Sequence, residues 1–355
     1  MLATMDIAIN RIERSKLGDL NFENLPFGKF FTDHMLEADY EGGKWKNIEI
    51  KPYQPLLLSP SVAALHYGQA IFEGVKAYKD DEGYSYIFRP YDNFKRFNIS
   101  AERMQMPAVP EEIFMEGMKQ LINLDNAWIP KKENHSLYIR PFMFSSDEVI
   151  GVRPSDNYKF LIVLSPTGPY YNAPMRIYVE EHYVRAVPGG VGYAKAAGNY
   201  GAAMFATALA KQKGYDQVLW TDAFEHKYVQ EIGTMNVIFI IGDKAVTPDL
   251  EAGTILDGVT RNSALMLLQE AGFAVEERHI SIDELIDAYN TGVLYEVFGT
   301  GTAATISLIK ELRYKDFVMN FDVEKWKTAP TIKKWLADIR QGKREDKYNW
   351  MVKVA

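Results

Sequence analysis

The sequence predicts an α/β protein of two domains. At 355 residues the chain exceeds the size at which a single hydrophobic core normally stops growing. Strand-length apolar runs such as FLIVL alternate with amphipathic helical patterns. The stretch SPTGPYYNAP interrupts both patterns with Pro and Gly. We therefore expect an N-terminal domain over residues 1–168, an interdomain loop over 169–175 and a C-terminal domain over 176–355.

Composition excludes several classes of protein. The formal net charge is -7 and hydrophobic residues make up 47% of the chain, which is typical of soluble globular proteins and unlike nucleic-acid-binding or disordered ones. The chain contains no cysteine, so disulfides and thiolate metal sites are excluded and no metal site is expected. The apolar runs are far shorter than the about 20 residues of a membrane helix, and the first residues do not follow a signal-peptide pattern. We expect a cytoplasmic protein.

Apolar periodicity predicts the elements of the first half. SYIFRPYDNFKRFNISAERMQM changes from alternating aromatic residues to a helical pattern. EEIFMEGMKQLINLDNAW carries apolar residues at helical spacing and predicts an amphipathic helix. SLYIRPFMF and YKFLIVLSP are bounded apolar runs typical of strands.

The second half predicts strands at MRIYVEEHYVRA, DQVLWTD and VQEIGTMNVIFIIGDKAVTP, the last with a hairpin at GD. A helix begins after Gly258 and ends at Gly272, and another has the capping-box spacing of Ser281 and Glu284. VLYEVFGTGTAATISLI predicts two strands joined by a glycine turn, and KTAPTIKKWLADIRQGKRED predicts a solvated helix. A helix over about 199–213 places its larger apolar residues on one face: Met204, Phe205, Ala208 and Leu209.

Lys195 is the first candidate for chemistry. It lies among small residues in GYAKAAGNYGAA, five positions before Tyr200. A desolvated lysine loses its proton more readily and becomes a nucleophile, and small neighbours allow a large partner to come close. A lysine taken alone is more often an exposed loop residue, so other segments must decide.

Two segments offer groups that such a lysine would need. Glu231 lies in an apolar strand pattern, where a buried carboxylate requires a cation or a strong donor; the alternative is an exposed glutamate on an edge strand. Gly258 precedes a helix in LDGVTRNS, which directs the N–H groups of Val259 and Thr260 towards an anion such as phosphate.

A third segment, FGTGTAAT, has two glycines that allow close backbone approach and the Thr302 hydroxyl beside the N–H groups of Thr302 and Ala303. A plain hairpin turn would have the same pattern. Together, an activated lysine, a buried acid and two phosphate-ready turns match what pyridoxal 5'-phosphate requires: a Schiff base, a protonated ring nitrogen and an anchored phosphate.

The chain resembles the branched-chain amino acid aminotransferases, a pyridoxal-phosphate enzyme family of fold type IV. The resemblance runs from FGKFFTDHML to the C-terminal tail and is carried, in family order, by LHYGQAIFEGVKAY, NFKRF, LYIRP, SPTGPYY, KAAGNYG, EIGTMN, GVTRNS and FGTGTAAT. It implies a small N-terminal and a large C-terminal domain with the cofactor in the cleft between them, in a homodimer or higher oligomer. It also implies reversible amino transfer between L-leucine, L-isoleucine or L-valine and 2-oxoglutarate.

The resemblance also assigns the cofactor contacts. Lys195 would form the Schiff base and move a proton between the substrate and the cofactor. Glu231 would keep the ring nitrogen protonated, and Tyr200 would donate a hydrogen bond to the phenolic oxygen. Arg96 in NFKRF would bind the phosphate. The remaining cofactor contacts would come from Thr234, Val259, Thr260 and Thr302.

The implied pocket must accept an apolar side chain in one half-reaction and the γ-carboxylate of glutamate in the other. Arg140 in LYIRP would pair with that carboxylate, and the N–H groups of Thr302 and Ala303 would bind the α-carboxylate. Ile150 and Val152 would come from the neighbouring subunit. The other pocket positions are aromatic: Phe27, Tyr67, Phe72, Tyr138 and Tyr170.

Several alternatives stay open. A D-amino acid aminotransferase or an aminodeoxychorismate lyase would share the fold, although chain length and FTDHML disfavour both. A cofactor-free Schiff-base enzyme would use Lys195 directly on a carbonyl substrate, and a non-catalytic binding protein would keep the fold without turnover. Some relatives carry a CxxC pair after the glycine turn, where this chain has Ala304 and Ser307, so thiol redox control is excluded.

Overall fold

The computed structural model describes residues 7–170 and 173–354. Two residues of the expected interdomain loop, at positions 171 and 172, lie outside this range. The strands are β1 (Ala8–Ile9), β2 (His34–Glu41), β3 (Lys44–Pro52), β4 (Ala70–Phe72), β5 (Val75–Lys79), β6 (Ser85–Phe88), β7 (Ser136–Ser145), β8 (Tyr158–Thr167), β9 (Met175–Val179), β10 (Gln217–Thr221), β11 (Val229–Ile232), β12 (Asn236–Ile241), β13 (Lys244–Thr247), β14 (Ala274–Glu277), β15 (Leu294–Gly301), β16 (Thr305–Tyr314), β17 (Phe317–Asn320) and β18 (Met351–Lys353).

The α-helices are α1 (Ala63–Tyr67), α2 (Pro90–Arg103), α3 (Gly117–Leu124), α4 (Ala197–Gln212), α5 (Val259–Glu270), α6 (Ile282–Asn290) and α7 (Thr328–Arg340). Within the described residues, none of the helices combines the length and the apolar character needed to cross a membrane.

The chain divides into two compact units. The first comprises Met1–Tyr170, Ala194–Gly198 and Asp338–Ala355, and the second comprises Tyr171–Tyr193 and Asn199–Ala337. A single boundary near residue 170 does not describe this grouping. The short segment around Lys195 belongs to the first unit because Ala196 forms a β-bridge with Ile71, and the C-terminal tail belongs there because β18 pairs with β6.

The first unit is built on a nine-stranded sheet of order β1-β3-β2-β8-β7-β5-β6-β18, with β4 also paired to β7. The central β7 and β8 pair antiparallel along their whole length, from Ser136↔Thr167 to Ser145↔Tyr158. The predicted amphipathic helix is confirmed as a π-helical turn followed by α3. Its apolar side places Phe114 and Leu121 in the core, fully buried.

The second unit contains a nine-stranded sheet of order β11-β10-β9-β16-β15-β12-β13-β14, with β17 paired to β16. The predicted hairpin joins β12 and β13, and the glycine turn joins β15 and β16. The predicted start of α5 after Gly258 is confirmed, and so is the α6 cap, where the Ser281 hydroxyl accepts the N–H of Glu284. These features are local in sequence, which is why the pattern alone predicts them.

Two helices bury a different face from the one that their composition suggests. In α4, Met204 and Phe205 are 68% and 59% exposed. Three alanines are buried instead, in a cluster with Trp220, because the bulky indole leaves room only for small side chains. The expected solvated helix α7 is amphipathic, since its buried residues recur at helical spacing: Ala329, Ile332, Leu336 and Ile339.

Candidate active site

The backbone on both sides of Lys195 is fixed by two elements of the first unit. The Phe72 N–H, at the end of β4, donates to the Lys195 carbonyl at 3.1 Å. The Lys195 N–H donates to the Ser100 hydroxyl of α2 at 3.0 Å. The side-chain nitrogen lies 4.7 Å from the centroid of the Phe72 ring. The backbone of Lys195 is therefore held beside β4 and α2 by hydrogen bonds.

The motif LHYGQAIFEGVKAY places three consecutive residues in different roles. Phe72 contacts the Lys195 amine, and Glu73 is fully buried. Gly74 leaves room for Tyr138, because a Cβ at position 74 would overlap the Tyr138 hydroxyl. A glycine is thus required here by the close approach of a side chain on the neighbouring strand β7.

Five predicted pocket residues of the first unit form one cluster. The Phe27 ring packs edge-on against Tyr138, with centroids 4.8 Å apart, and against Tyr170, at 4.9 Å. The Arg140 guanidinium lies 4.4 Å from the Phe72 ring centroid, and its Nη2 donates to the Tyr138 hydroxyl at 3.0 Å. The Arg140 Nε is buried without a hydrogen-bond partner among the described residues. The cluster combines apolar walls with a cation that retains hydrogen-bonding capacity.

Arg96 makes a paired interaction that the sequence did not indicate. Its Nε and Nη2 donate to the two oxygens of Glu73 at 2.7 and 2.9 Å. Asn93, one turn earlier on α2, donates to the same carboxylate at 2.8 Å. Burial opposes ionisation of Glu73, but the charge and hydrogen bonds of Arg96 outweigh it, aided by the Lys195 charge and Asn93, and lower the pKa of this carboxyl.

In the second unit, Glu231 lies on β11, at the edge of the sheet, yet is only 3% exposed. Its Oε1 accepts the Leu256 N–H at 2.8 Å. Its Oε2 lies 3.2 Å from the Arg185 Nε, close enough for an ion pair although not aligned as a hydrogen bond. Arg185 is in turn fixed through its Nη2 by the carbonyl of Thr254 at 2.6 Å. The buried carboxylate is thus held in one orientation and charge-balanced.

Asn236 connects the segment before α5 to the same carboxylate. Asn236 donates to the Leu256 carbonyl at 2.8 Å and lies 3.4 Å from Glu231 Oε1. Gly258 is the N-cap of α5, and a Cβ there would overlap the Asn236 side-chain oxygen. Glycine therefore lets the chain pass close to Asn236. The first helical residues, Val259 and Thr260, are buried at the N-terminus of the helix, where anions bind favourably.

Other predicted cofactor and substrate contacts lie on turns and helix starts of the second unit. Thr234 is exposed in the turn between β11 and β12, and Tyr200 is half-buried in the first turn of α4. Thr302 and Ala303 are half-buried in the β15–β16 turn. Gly299, before that turn, has a packing role, because a Cβ at this position would come within 2.9 Å of the Met235 methyl carbon. The interpretation of Gly299 as an opening for a ligand is thus incomplete.

Three predicted pocket residues are surface residues rather than members of the aromatic cluster. Tyr67 ends α1 and is 41% exposed. Ile150 and Val152 lie in the β7–β8 connection and are 69% and 89% exposed. Such exposure of two branched apolar side chains, close together in sequence, is expected of residues that another molecule covers.

A cavity of about 500 Å³ in the second unit is lined by none of the predicted site residues. Its lining includes Tyr289, Trp326 and the buried Glu296. Both oxygens of Glu296 accept backbone N–H groups at the start of α7, at 2.7 to 2.9 Å. This carboxylate caps the helix, and both of its oxygens are occupied by backbone donors.

Comparison with known proteins agrees with this arrangement. The family model described as amino-transferase class IV matches residues 70–312. A probable branched-chain-amino-acid aminotransferase of Staphylococcus epidermidis is 51% identical over 338 residues, which cover 93% of this chain and 94% of that protein. Branched-chain-amino-acid transaminase 1 of Bacillus subtilis is 49% identical over 337 residues, covering 93% and 94%.

A solved structure extends the comparison. The branched-chain amino acid aminotransferase of Escherichia coli superposes with a TM-score of 0.74 at 25% identity and covers 90% of this chain and 100% of that one. The mixed α/β architecture with two sheets is thus that of fold type IV, as the motifs predicted. The family match extends over more than half of the chain and includes Phe72, Lys195 and Glu231. The chain belongs to the class IV aminotransferase family.

Proposed function

We propose that this protein is a branched-chain-amino-acid aminotransferase that uses pyridoxal 5'-phosphate. It would transfer the amino group reversibly between L-leucine, L-isoleucine or L-valine and 2-oxoglutarate. The observation that carries the proposal is a shared aromatic ring: Phe72 lies 4.7 Å from the Lys195 nitrogen and 4.4 Å from the Arg140 guanidinium. The side chain proposed to attach the cofactor thus lies beside the cation proposed to recognise glutamate.

The residues present fit this cofactor. A buried carboxylate fixed by Arg185 and the Leu256 N–H, Glu231, suits a protonated ring nitrogen. The N-terminus of α5, where Val259 and Thr260 are buried, suits a phosphate. When bound, the cofactor supplies an electron-withdrawing ring that stabilises negative charge at the substrate α-carbon.

The residues of the chain divide the remaining work. Lys195 attaches the cofactor and, when released, accepts and returns the proton of the substrate α-carbon. Glu231 presents its carboxylate to the ring nitrogen, and Arg185 and the Leu256 N–H hold that carboxylate in place. Tyr200 donates a hydrogen bond to the cofactor's phenolic oxygen. Arg96, Val259, Thr260 and the residues at 234 and 302 complete the cofactor contacts.

Arg140 explains how one pocket serves two kinds of substrate. Its guanidinium is close to the Phe72 ring and bonded to Tyr138, so an apolar leucine side chain meets aromatic surface. A glutamate side chain instead meets the positive charge of the guanidinium, which pairs favourably with a carboxylate. Thr302 and Ala303 bind the α-carboxylate common to both substrates.

We also propose that two copies of the chain associate. Ile150 and Val152 expose 69% and 89% of their surface, which is costly for branched apolar side chains unless a partner covers them. In a homodimer the partner's copies of these residues would complete the apolar wall.

The test is an assay of purified protein with leucine and 2-oxoglutarate, following glutamate and 4-methyl-2-oxopentanoate. The proposal expects both products in equal amounts, with D-leucine inactive. Absence of 2-oxoglutarate-dependent conversion of leucine, isoleucine and valine contradicts it. A preference for D-substrates would favour the related D-amino acid aminotransferase activity instead.

A further inference from the structure

Glu73 stands out because it is fully buried and bonded on both oxygens. Its Oε1 accepts Arg96 Nε at 2.7 Å, and its Oε2 accepts Arg96 Nη2 at 2.9 Å. Oε2 also accepts the Asn93 amide at 2.8 Å and the Gly74 N–H at 3.0 Å. A carboxylate at 0% exposure is strongly disfavoured unless its charge is compensated, and removal of one partner leaves a buried charge.

Two cations compensate the charge of Glu73. Arg96 does so by a bidentate pair, the geometry that best fixes a guanidinium in a plane. The charge of Lys195 acts on the same carboxylate. Arg96 and Lys195 are the two cationic side chains to which the proposed function assigns cofactor contacts, and one carboxylate serves both.

The backbone reinforces this arrangement. Glu73 directly follows Phe72, whose N–H holds the Lys195 carbonyl. Ser100, one turn after Arg96 on α2, accepts the Lys195 N–H and donates its hydroxyl to the Arg96 carbonyl at 2.9 Å. Glu73 and Phe72 together therefore connect the end of β4 to α2 and to the Lys195 segment.

We propose that Glu73 is a positioning residue: its carboxylate fixes the Arg96 guanidinium for the cofactor phosphate. This inference rests on the proposed function, since it concerns the same cofactor site. Glu73 acts through Arg96 rather than on the cofactor, because both of its oxygens are engaged by protein donors.

Glu73→Gln keeps the size of the side chain but loses the charge. The dissociation constant of pyridoxal 5'-phosphate should rise by about tenfold or more, because charge-assisted hydrogen bonds that orient Arg96 are lost.

Glu73→Asp separates charge from position. It keeps the carboxylate but draws it back by one methylene, so the dissociation constant of pyridoxal 5'-phosphate should rise here as well. The matched control is Glu37→Gln, which also removes a buried carboxylate paired with two cations, Lys51 and Lys159. Glu37 lies on β2 and its charge is compensated by these two lysines, so the control should leave this dissociation constant unchanged.

The outcomes are distinct. An unchanged dissociation constant in Glu73→Gln would overturn the inference while the wild-type band upholds the cofactor assignment. If Glu73→Gln does not fold, an unaltered dissociation constant in Glu73→Asp overturns the positioning role. If Glu37→Gln raises the dissociation constant as far as Glu73→Gln does, Glu73 contributes only general stability, and the inference is wrong. A wild-type protein without a visible band would contradict the proposed function itself.

Discussion

Lys76 gives a prediction about stability that can be worked out from the structure. It lies on β5, 8% exposed, with its strand position opposite Tyr138 of β7. Burial disfavours the charged amine, and the neighbouring Arg340 guanidinium repels it, so the pKa of Lys76 falls to about 7. Arg340 is itself 5% exposed and lies over the rings of Phe88 and Tyr78.

The sign of the effect follows from proton binding. Between about pH 7 and the ordinary lysine pKa of 10.5, the unfolded chain binds more protons at Lys76 than the folded protein does. The free energy of unfolding therefore rises with pH across this window. At 1.36 kcal/mol for each pKa unit, protonation linkage at Lys76 costs the folded state about 4 kcal/mol near pH 7 and under about 1 kcal/mol near pH 10.

Lys76→Met removes this cost while keeping a long side chain. From about pH 7 to about pH 10, the unfolding free energy of the wild type should rise by about 3 kcal/mol relative to that of the variant. Urea denaturation at matched protein concentration and saturating cofactor measures both unfolding free energies. Titratable groups that the two proteins share contribute equally and cancel in the difference. Lys95→Met, at an exposed position of α2, is the control and should give a flat difference. A flat difference for Lys76→Met as well would refute the reasoning.

Further predictions concern catalysis. Glu231→Gln should retain cofactor, judged by absorbance, but lose most turnover, because the amide cannot supply negative charge to the ring nitrogen and leaves Arg185 unbalanced; unchanged turnover would show that the pairing is wrongly assigned. Arg140→Ala should lower kcat/KM for glutamate by at least about tenfold more than for leucine; equal losses would indicate a structural role. Ile150→Ser with Val152→Ser should raise KM for leucine and weaken self-association in sedimentation experiments, whereas unaltered values for both would exclude the shared pocket.

Local patterns predicted much of the fold. The Ser281 cap, the start of α5 after Gly258 and the β12–β13 hairpin depend on residues within a few positions of one another, so spacing alone was informative. The sequence did not predict which face of α4 is buried. The large side chains of Met204 and Phe205 suggested a core face, but Trp220, on a separate strand, selects alanines there.

The sequence likewise predicted only part of the candidate site. The motifs proposed Lys195, Arg96 and Glu231 as site residues, and the low exposure of Glu231 agrees with the expectation of a buried acid. They did not indicate the partners that hold Arg96 and Glu231. Glu73 and Arg185 are 23 and 46 positions from Arg96 and Glu231 along the chain, and pairing over such distances is decided by folding rather than by spacing. The signal that could have revealed Glu73 was its place among apolar residues between β4 and β5, because a carboxylate in such surroundings needs a partner, as at Glu231.

The identity of the lysine that carries the cofactor tests the account most directly. Borohydride reduction of the loaded protein, followed by proteolysis and mass spectrometry, fixes the cofactor to the residue that holds it. The account predicts one modified peptide, with the pyridoxyl group on Lys195. Modification at another lysine, or no modified peptide from a protein that is active, would contradict it.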